Sequence, residues 1–198
     1  MSEQYRFDHY DALIFDMDGT LVDSMPLHLD AWELTCAEFG IPFKREQLYQ
    51  YGGIPTRKII AMLAEQQGLE VDTDAFARRK IALYMEHIDQ VSVFPRMWDL
   101  VRYYHGKVPM GIGTGSPRNQ AESILKSTGL DAYISVVVSA DDVINHKPHP
   151  DTFLQVAEQL GANPANCLVF EDTQIGLEAG KAAGMDTVLV LEGEWHPR

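Results

Sequence analysis

Nine residues limit what this chain can become: Ala12-Leu13-Ile14-Phe15-Asp16-Met17-Asp18-Gly19-Thr20. A short apolar run ends in two carboxylates two positions apart, followed by a glycine and a hydroxyl. The apolar run predicts a buried strand. In extended chain, residues i and i+2 point to one side, so Asp16 and Asp18 can face a common pocket beyond the strand tip. Open α/β sheets bind ligands beyond the carboxyl ends of their strands, and Gly19 permits a sharp turn there. A strand that merely ends in a solvated acidic turn would carry the same pair of acids, so the rest of the chain must decide.

Beyond Thr20 the pattern changes. Over 24–90 the periodicity is helical and no strand is evident. Leu27, Ala31, Leu34, Ala37 and Glu38 suggest an amphipathic helix ending at Gly40, with Pro42 just beyond. Further helices are expected over 45–51, 55–67 and 74–88, the third stopped by Gly68 and the last capped by Asp72 or Thr73. From about Val91 strands and helices alternate. Helices are expected over 95–104, 117–127, 150–160 and 175–183, and strands over 109–114, 134–139, 167–170 and 187–191. That alternation predicts a parallel sheet with helices on both faces. The fold class expected is α/β: a Rossmann-like core, 1–23 with 91–198, and an inserted four-helix cap domain, 24–90.

Three more segments combine chemistry with position. In Met110-Gly111-Ile112-Gly113-Thr114-Gly115-Ser116-Pro117 an apolar run ends at a hydroxyl, and Pro117 suits the first position of a helix. Helix amino termini attract anions, although Ser116 could equally be a simple cap. In Asn145-His146-Lys147-Pro148-His149-Pro150-Asp151 the prolines stiffen a loop that carries Lys147. A loop lysine is most often a solvated charge, and His146 and His149 lack the further ligands a zinc site needs. In Leu168-Val169-Phe170-Glu171-Asp172-Thr173-Gln174-Ile175-Gly176 a second apolar strand ends in two acids before a helix. Asp172 could be that helix's N-cap.

Taken together, in this order, the four segments resemble the motifs of the haloacid dehalogenase superfamily, and the helical insert resembles its β-phosphoglucomutase and small sugar-phosphate phosphatase subgroup. The resemblance spans the whole chain. It implies a magnesium-dependent phosphatase acting through a phosphoaspartate, with a β-phosphoglucomutase as the alternative. Asp16 would be the nucleophile and Asp18 the proton carrier, with Thr114 and Lys147 cradling the phosphoryl group. Gly115 and Ser116 would contact the substrate. Magnesium would be held by Asp16, the backbone carbonyl of Asp18 and Asp172, with Glu171 acting through a water. In the insert, His28, Arg57 and Lys80 match positions that face the substrate. Trp32 reads as core rather than a sugar platform. Thr20 matches the phosphatases, whereas the mutase pattern has valine there. A dehalogenase would need neither Asp18 nor a metal. A phosphonatase would need a cap lysine for a Schiff base, which Lys44, Lys58 or Lys80 keeps open. A binding module with a dead site conflicts with four intact motifs.

Composition narrows the partners. Net charge is −13 over 198 residues, which argues against nucleic acid, since that needs a basic footprint. The same charge repels a phosphate ester at long range, so positive charge must be supplied within the site. No apolar run approaches the roughly 18 residues of a membrane helix, and the polar amino terminus lacks a signal-peptide core. Cys36 and Cys167 are too far apart in sequence to suggest a framework and read as buried thiols. The expectation is a cytoplasmic monomer whose partner is a small phosphorylated metabolite, with no membrane association.

Overall fold

The computed structural model describes residues 7–48, 51 and 56–195. The chain forms two compact units, Met1–Asp23 with Val91–Arg198, and Ser24–Gln90. Among the described residues no helix is long and apolar enough to cross a membrane.

The first unit is built on a five-stranded parallel sheet. Strands β1 (Ala12–Phe15), β4 (Met110–Gly113), β5 (Val136–Val138), β6 (Cys167–Glu171) and β7 (Asp186–Leu189) run in the order β5-β4-β1-β6-β7. The central strands β1, β4 and β6 are buried at every position, the near-continuous apolar runs expected of a sheet covered on both faces. Helices α5 (Pro95–Tyr104), α6 (Arg118–Thr128), α7 (Asp151–Leu160) and α8 (Gln174–Ala182) connect them. On one face Ile14, Val138 and Val169 pack with Phe153, Val156 and Ala179. A Cβ on Gly113 would run into the Phe153 ring, so glycine there lets α7 lie close to β4. Phe15 stacks on Phe170 at 5.0 Å between centroids. Truncating a side chain such as Phe153 would cost about 3–5 kcal/mol.

A two-residue antiparallel ribbon, β2 (Val22–Asp23) with β3 (Ser92–Val93), stands where the chain leaves this unit and returns. The sequence pattern does not reveal it, because two residues carry no alternation to detect.

The second unit contains α1 (Met25–Glu38), α2 (Arg45–Leu48), α3 (Thr56–Gln67) and α4 (Thr73–Glu86). Positions 49, 50 and 52–55, which include part of the expected second helix and Pro55 of the third, lie outside the described residues. Trp32, Cys36, Ile59, Ile60, Leu63 and Phe76 form its core, so Trp32 is a core residue, as expected. The stripe expected on α1 needs correction. Leu34 is 50% exposed and Ala37 faces solvent, while Trp32, Thr35 and Cys36 are buried. Thr35 can be buried because its hydroxyl donates to the Ala31 carbonyl at 2.6 Å. Asp72 caps α4, accepting from the backbone N–H groups of Asp74 and Ala75. Both cysteines are free and buried.

Candidate active site

Because all five strands are parallel, their carboxyl ends lie along one edge of the sheet. Asp16 follows β1, Thr114 follows β4, Glu171 closes β6, and Lys147 comes from the loop between β5 and α7. Asp16 N–H donates to the Phe170 carbonyl, and Thr114 N–H to the Val138 carbonyl, each at 2.9 Å. Both residues are thus fixed to the neighbouring strand by backbone bonds. Gly19, at φ +85°, turns the chain after β1. A Cβ there would meet the Asp172 carboxylate.

Lys147 lies between two of the acids. Its Nζ donates to Asp16 Oδ1 at 2.6 Å and to Glu171 Oε1 at 2.9 Å, with the side chains only 11%, 9% and 2% exposed. The other Glu171 oxygen accepts from the Thr173 N–H at 2.5 Å and hydroxyl at 2.8 Å. Asp172 Oδ1 accepts from the Thr20 hydroxyl at 3.1 Å, and Thr20 is fully buried. Oxygens of Asp16, Glu171 and Asp172 come within 4.8 Å of one another.

One ammonium does not balance three carboxylates in a site largely shielded from solvent. Burial raises the Asp16 carboxyl well above the ordinary range; Lys147 opposes this, and Glu171 and Asp172 add to it. Burial and the Glu171 charge push Asp172 up to about 7. Burial alone would lower Lys147, but the Asp16 and Glu171 charges outweigh it and the ammonium is held protonated. An oxygen-only donor set with surplus negative charge suits a hard divalent cation.

Asp18 is set apart from this triad. Its Oδ2 accepts from the Ser116 hydroxyl at 2.7 Å. Ser116 N–H in turn donates to Thr114 Oγ1 at 3.0 Å. Gly115 is exposed, with open space where a Cβ would sit. The expected first helical residue, Pro117, precedes α6 as its N-cap, because its ψ of 152° is extended rather than helical. Asp172 is not the cap of α8. Thr173 is, its hydroxyl oxygen accepting from Gly176 N–H at 3.1 Å. Thr20 and Thr173 each bond one of the acids, Asp172 and Glu171 respectively, and neither is among the candidate site residues expected from the sequence. The signal for Thr173 was a hydroxyl three residues before a buried helix position.

In the helical unit, Lys80 is 4% exposed and its Nζ lies 2.6 Å from His28 Nδ1. The His28 ring stacks on Tyr84 at 4.2 Å. Arg57 forms an ion pair with Asp74, and both are largely exposed. The segment 52–55 that precedes Arg57 lies outside the described residues.

Residues 13–190 match the haloacid dehalogenase-like hydrolase family. The chain is 40% identical over 183 residues to fructose-1-phosphate phosphatase YqaB of Escherichia coli K12, covering 92% of this chain and 97% of that protein. It is 30% identical over 186 residues to a phosphorylated carbohydrates phosphatase of Thermotoga maritima, covering 90% and 83%. A solved structure of β-phosphoglucomutase from Clostridium difficile superposes with a TM-score of 0.78 at 26% identity, covering 91% and 84%. The chain therefore belongs to the haloacid dehalogenase-like hydrolase family, in the subgroup that resembles β-phosphoglucomutase and the small sugar-phosphate phosphatases.

Proposed function

We propose that this phosphoric monoester hydrolase removes phosphate from a small sugar phosphate through a phosphoaspartate on Asp16, with magnesium as its metal. The observation that carries the reading is the cluster of Asp16, Glu171 and Asp172 at the sheet edge, the first two buried and both bonded to Lys147. Asp16, Asp172 and the backbone carbonyl of Asp18 would hold the metal, with Glu171 behind them. When bound, the ion supplies positive charge to the phosphoryl oxygens and keeps the acids ionised.

In the first half-reaction a carboxylate oxygen of Asp16 attacks phosphorus. The bond from phosphorus to the sugar oxygen breaks, and Asp18 gives its proton to that oxygen. In the second half, water attacks phosphorus and gives a proton to the Asp18 carboxylate. The bond to Asp16 breaks, releasing inorganic phosphate and restoring both acids. Thr114 donates to a phosphoryl oxygen, and Lys147 offsets charge on Asp16 and the phosphoryl group. His28, Arg57 and Lys80 of the helical unit, 24–90, are assigned to substrate selectivity, as in a cap domain.

The sugar-phosphate class is supported by the relative at 40% identity named for fructose 1-phosphate. The test is a panel of sugar monophosphates, fructose 1-phosphate among them, with phosphate and free sugar both measured in magnesium buffer. Asp16→Asn should lower turnover by about a thousandfold or more with the fold intact. Substantial turnover in the folded variant would end the phosphoaspartate reading. The mutase reading is favoured by the likeness to the Clostridium difficile structure. Rapid glucose 6-phosphate formation from β-glucose 1-phosphate primed with β-glucose 1,6-bisphosphate, with little free phosphate, would replace hydrolysis by that reading.

A further inference from the structure

Ser116, expected from the sequence to contact substrate, has its hydroxyl engaged elsewhere. A serine hydroxyl has one proton to donate. Here it goes to Asp18 Oδ2 at 2.7 Å, in the range of strong, charge-assisted O–H to carboxylate bonds. What the oxygen has left are lone pairs, which repel an anionic phosphoryl oxygen.

From this we infer that Ser116 is a positioning residue, orienting Asp18 with its hydroxyl and Thr114 with its backbone N–H. The inference rests on the proposed role of Asp18 as proton carrier. The backbone of Ser116 is held on several sides. Its N–H donates to Thr114 Oγ1 at 3.0 Å, and its carbonyl accepts from Ala140 N–H at 3.0 Å. Pro117 follows and restricts Ser116 to extended backbone. The hydroxyl is therefore aimed before any substrate arrives, and fixing Oδ2 fixes the direction in which Asp18 presents Oδ1. The second contact acts on Thr114. Because Thr114 Oγ1 accepts the Ser116 N–H, the Thr114 proton must point away from Ser116, which leaves it to serve a phosphoryl oxygen. One residue thus sets the orientation of a proton donor to the leaving group and of a donor to the phosphoryl group.

The test is steady-state kinetics of Ser116→Ala and Ser116→Thr with the best sugar phosphate from the panel and with p-nitrophenyl phosphate, alongside inhibition by inorganic phosphate. The alanine variant should lose about tenfold in kcat/KM on the sugar phosphate, whose leaving oxygen needs a proton. On p-nitrophenyl phosphate, whose leaving group departs unprotonated, the loss should be less than about twofold. The inhibition constant of phosphate should stay within about twofold, because Ser116 does not bind it. Threonine keeps the hydroxyl and should recover most of the sugar-phosphate rate. An equal loss on both substrates with weaker phosphate inhibition would make Ser116 a substrate contact and overturn the inference. Unchanged kinetics in the alanine variant would overturn it too. Should the alanine variant not fold, Ser116→Cys, which keeps the size of the side chain and replaces the hydroxyl by a weak donor, takes its place under the same criteria. Asp18→Asn measured in parallel separates the two readings. Full sugar-phosphate activity there defeats the role of Asp18, whereas an inactive Asp18→Asn beside an unimpaired Ser116→Ala defeats the inference alone.

Discussion

Lys147 reaches across 131 residues of sequence to donate to Asp16 at 2.6 Å. The pair is almost wholly buried, and Lys147 bonds Glu171 as well. Removing one member of a buried ion pair leaves an uncompensated charge, at a cost of about 3–5 kcal/mol. Lys147→Ala is therefore expected to lower metal-free stability by that order and to lower turnover by about a hundredfold or more. Added magnesium should narrow the stability gap, since a dication can stand in for the lost charge, without restoring turnover. Urea unfolding with and without magnesium, beside phosphate-release assays, measures both. A variant as stable as wild type without metal would refute this account of the site's charge balance.

Thr20 offers a test of the metal reading that does not depend on turnover. Its hydroxyl orients Asp172, and removing such an outer partner commonly costs about 10–100-fold in metal affinity. Thr20→Val keeps the shape and deletes only the bond. Titration calorimetry with magnesium should show affinity reduced by at least about tenfold. Unchanged affinity would mean that Asp172 holds its position without Thr20.

The three acid- or hydroxyl-bearing strand tips, after β1, after β4 and at the end of β6, were legible in the sequence because each motif is local: an apolar run and a polar terminus. Parallel pairing then sends all the tips to one edge. The strand order β5-β4-β1-β6-β7 was not legible, because it depends on contacts between distant segments such as Phe15 with Phe170. Pairings between side chains were equally hidden. Nothing in the spacing says that Lys80 meets His28, that Arg57 meets Asp74, or that the Ser116 hydroxyl goes to Asp18. The capping of α8 shows a local rule losing to a tertiary one. Asp172 is a good cap by residue type, but Thr20 engages its carboxylate and the role passes to Thr173.

Gly176 tests how tightly the second acid pair is packed. In a helix interior, glycine to alanine normally stabilises by about 1 kcal/mol. At this position a Cβ would overlap the Glu171 carboxylate, which Lys147 and Thr173 hold in place. Overpacking of a fixed group costs about 1–3 kcal/mol, so the clash should win. Gly176→Ala is expected to be net destabilising and to bind magnesium more weakly, read by thermal unfolding with and without the metal. A stabilised variant would show that Glu171 can move aside freely.

A pH dependence independent of the metal site comes from Asp142. Its Oδ2 accepts from the Ser139 N–H at 2.7 Å and hydroxyl at 2.6 Å, and Arg118 donates to the same oxygen. Burial alone would raise its carboxyl, but the Ser139 bonds and the Arg118 charge outweigh that and hold it below its usual 3.8. A carboxyl lowered in the folded state binds fewer protons there than in the unfolded chain. Its stabilisation is therefore complete above about pH 4 and is lost as pH falls through the folded value. Asp142→Asn removes the charge but leaves a similar shape, so it should cost about 1–2 kcal/mol at pH 7. The gap from wild type should shrink at about pH 3, where the wild-type carboxyl also begins to take up its proton. Urea midpoints of both proteins at the two pH values give the comparison, and since every other carboxylate titrates alike in both, the difference isolates Asp142. A gap of the same size at both pH values would assign the effect to shape rather than charge.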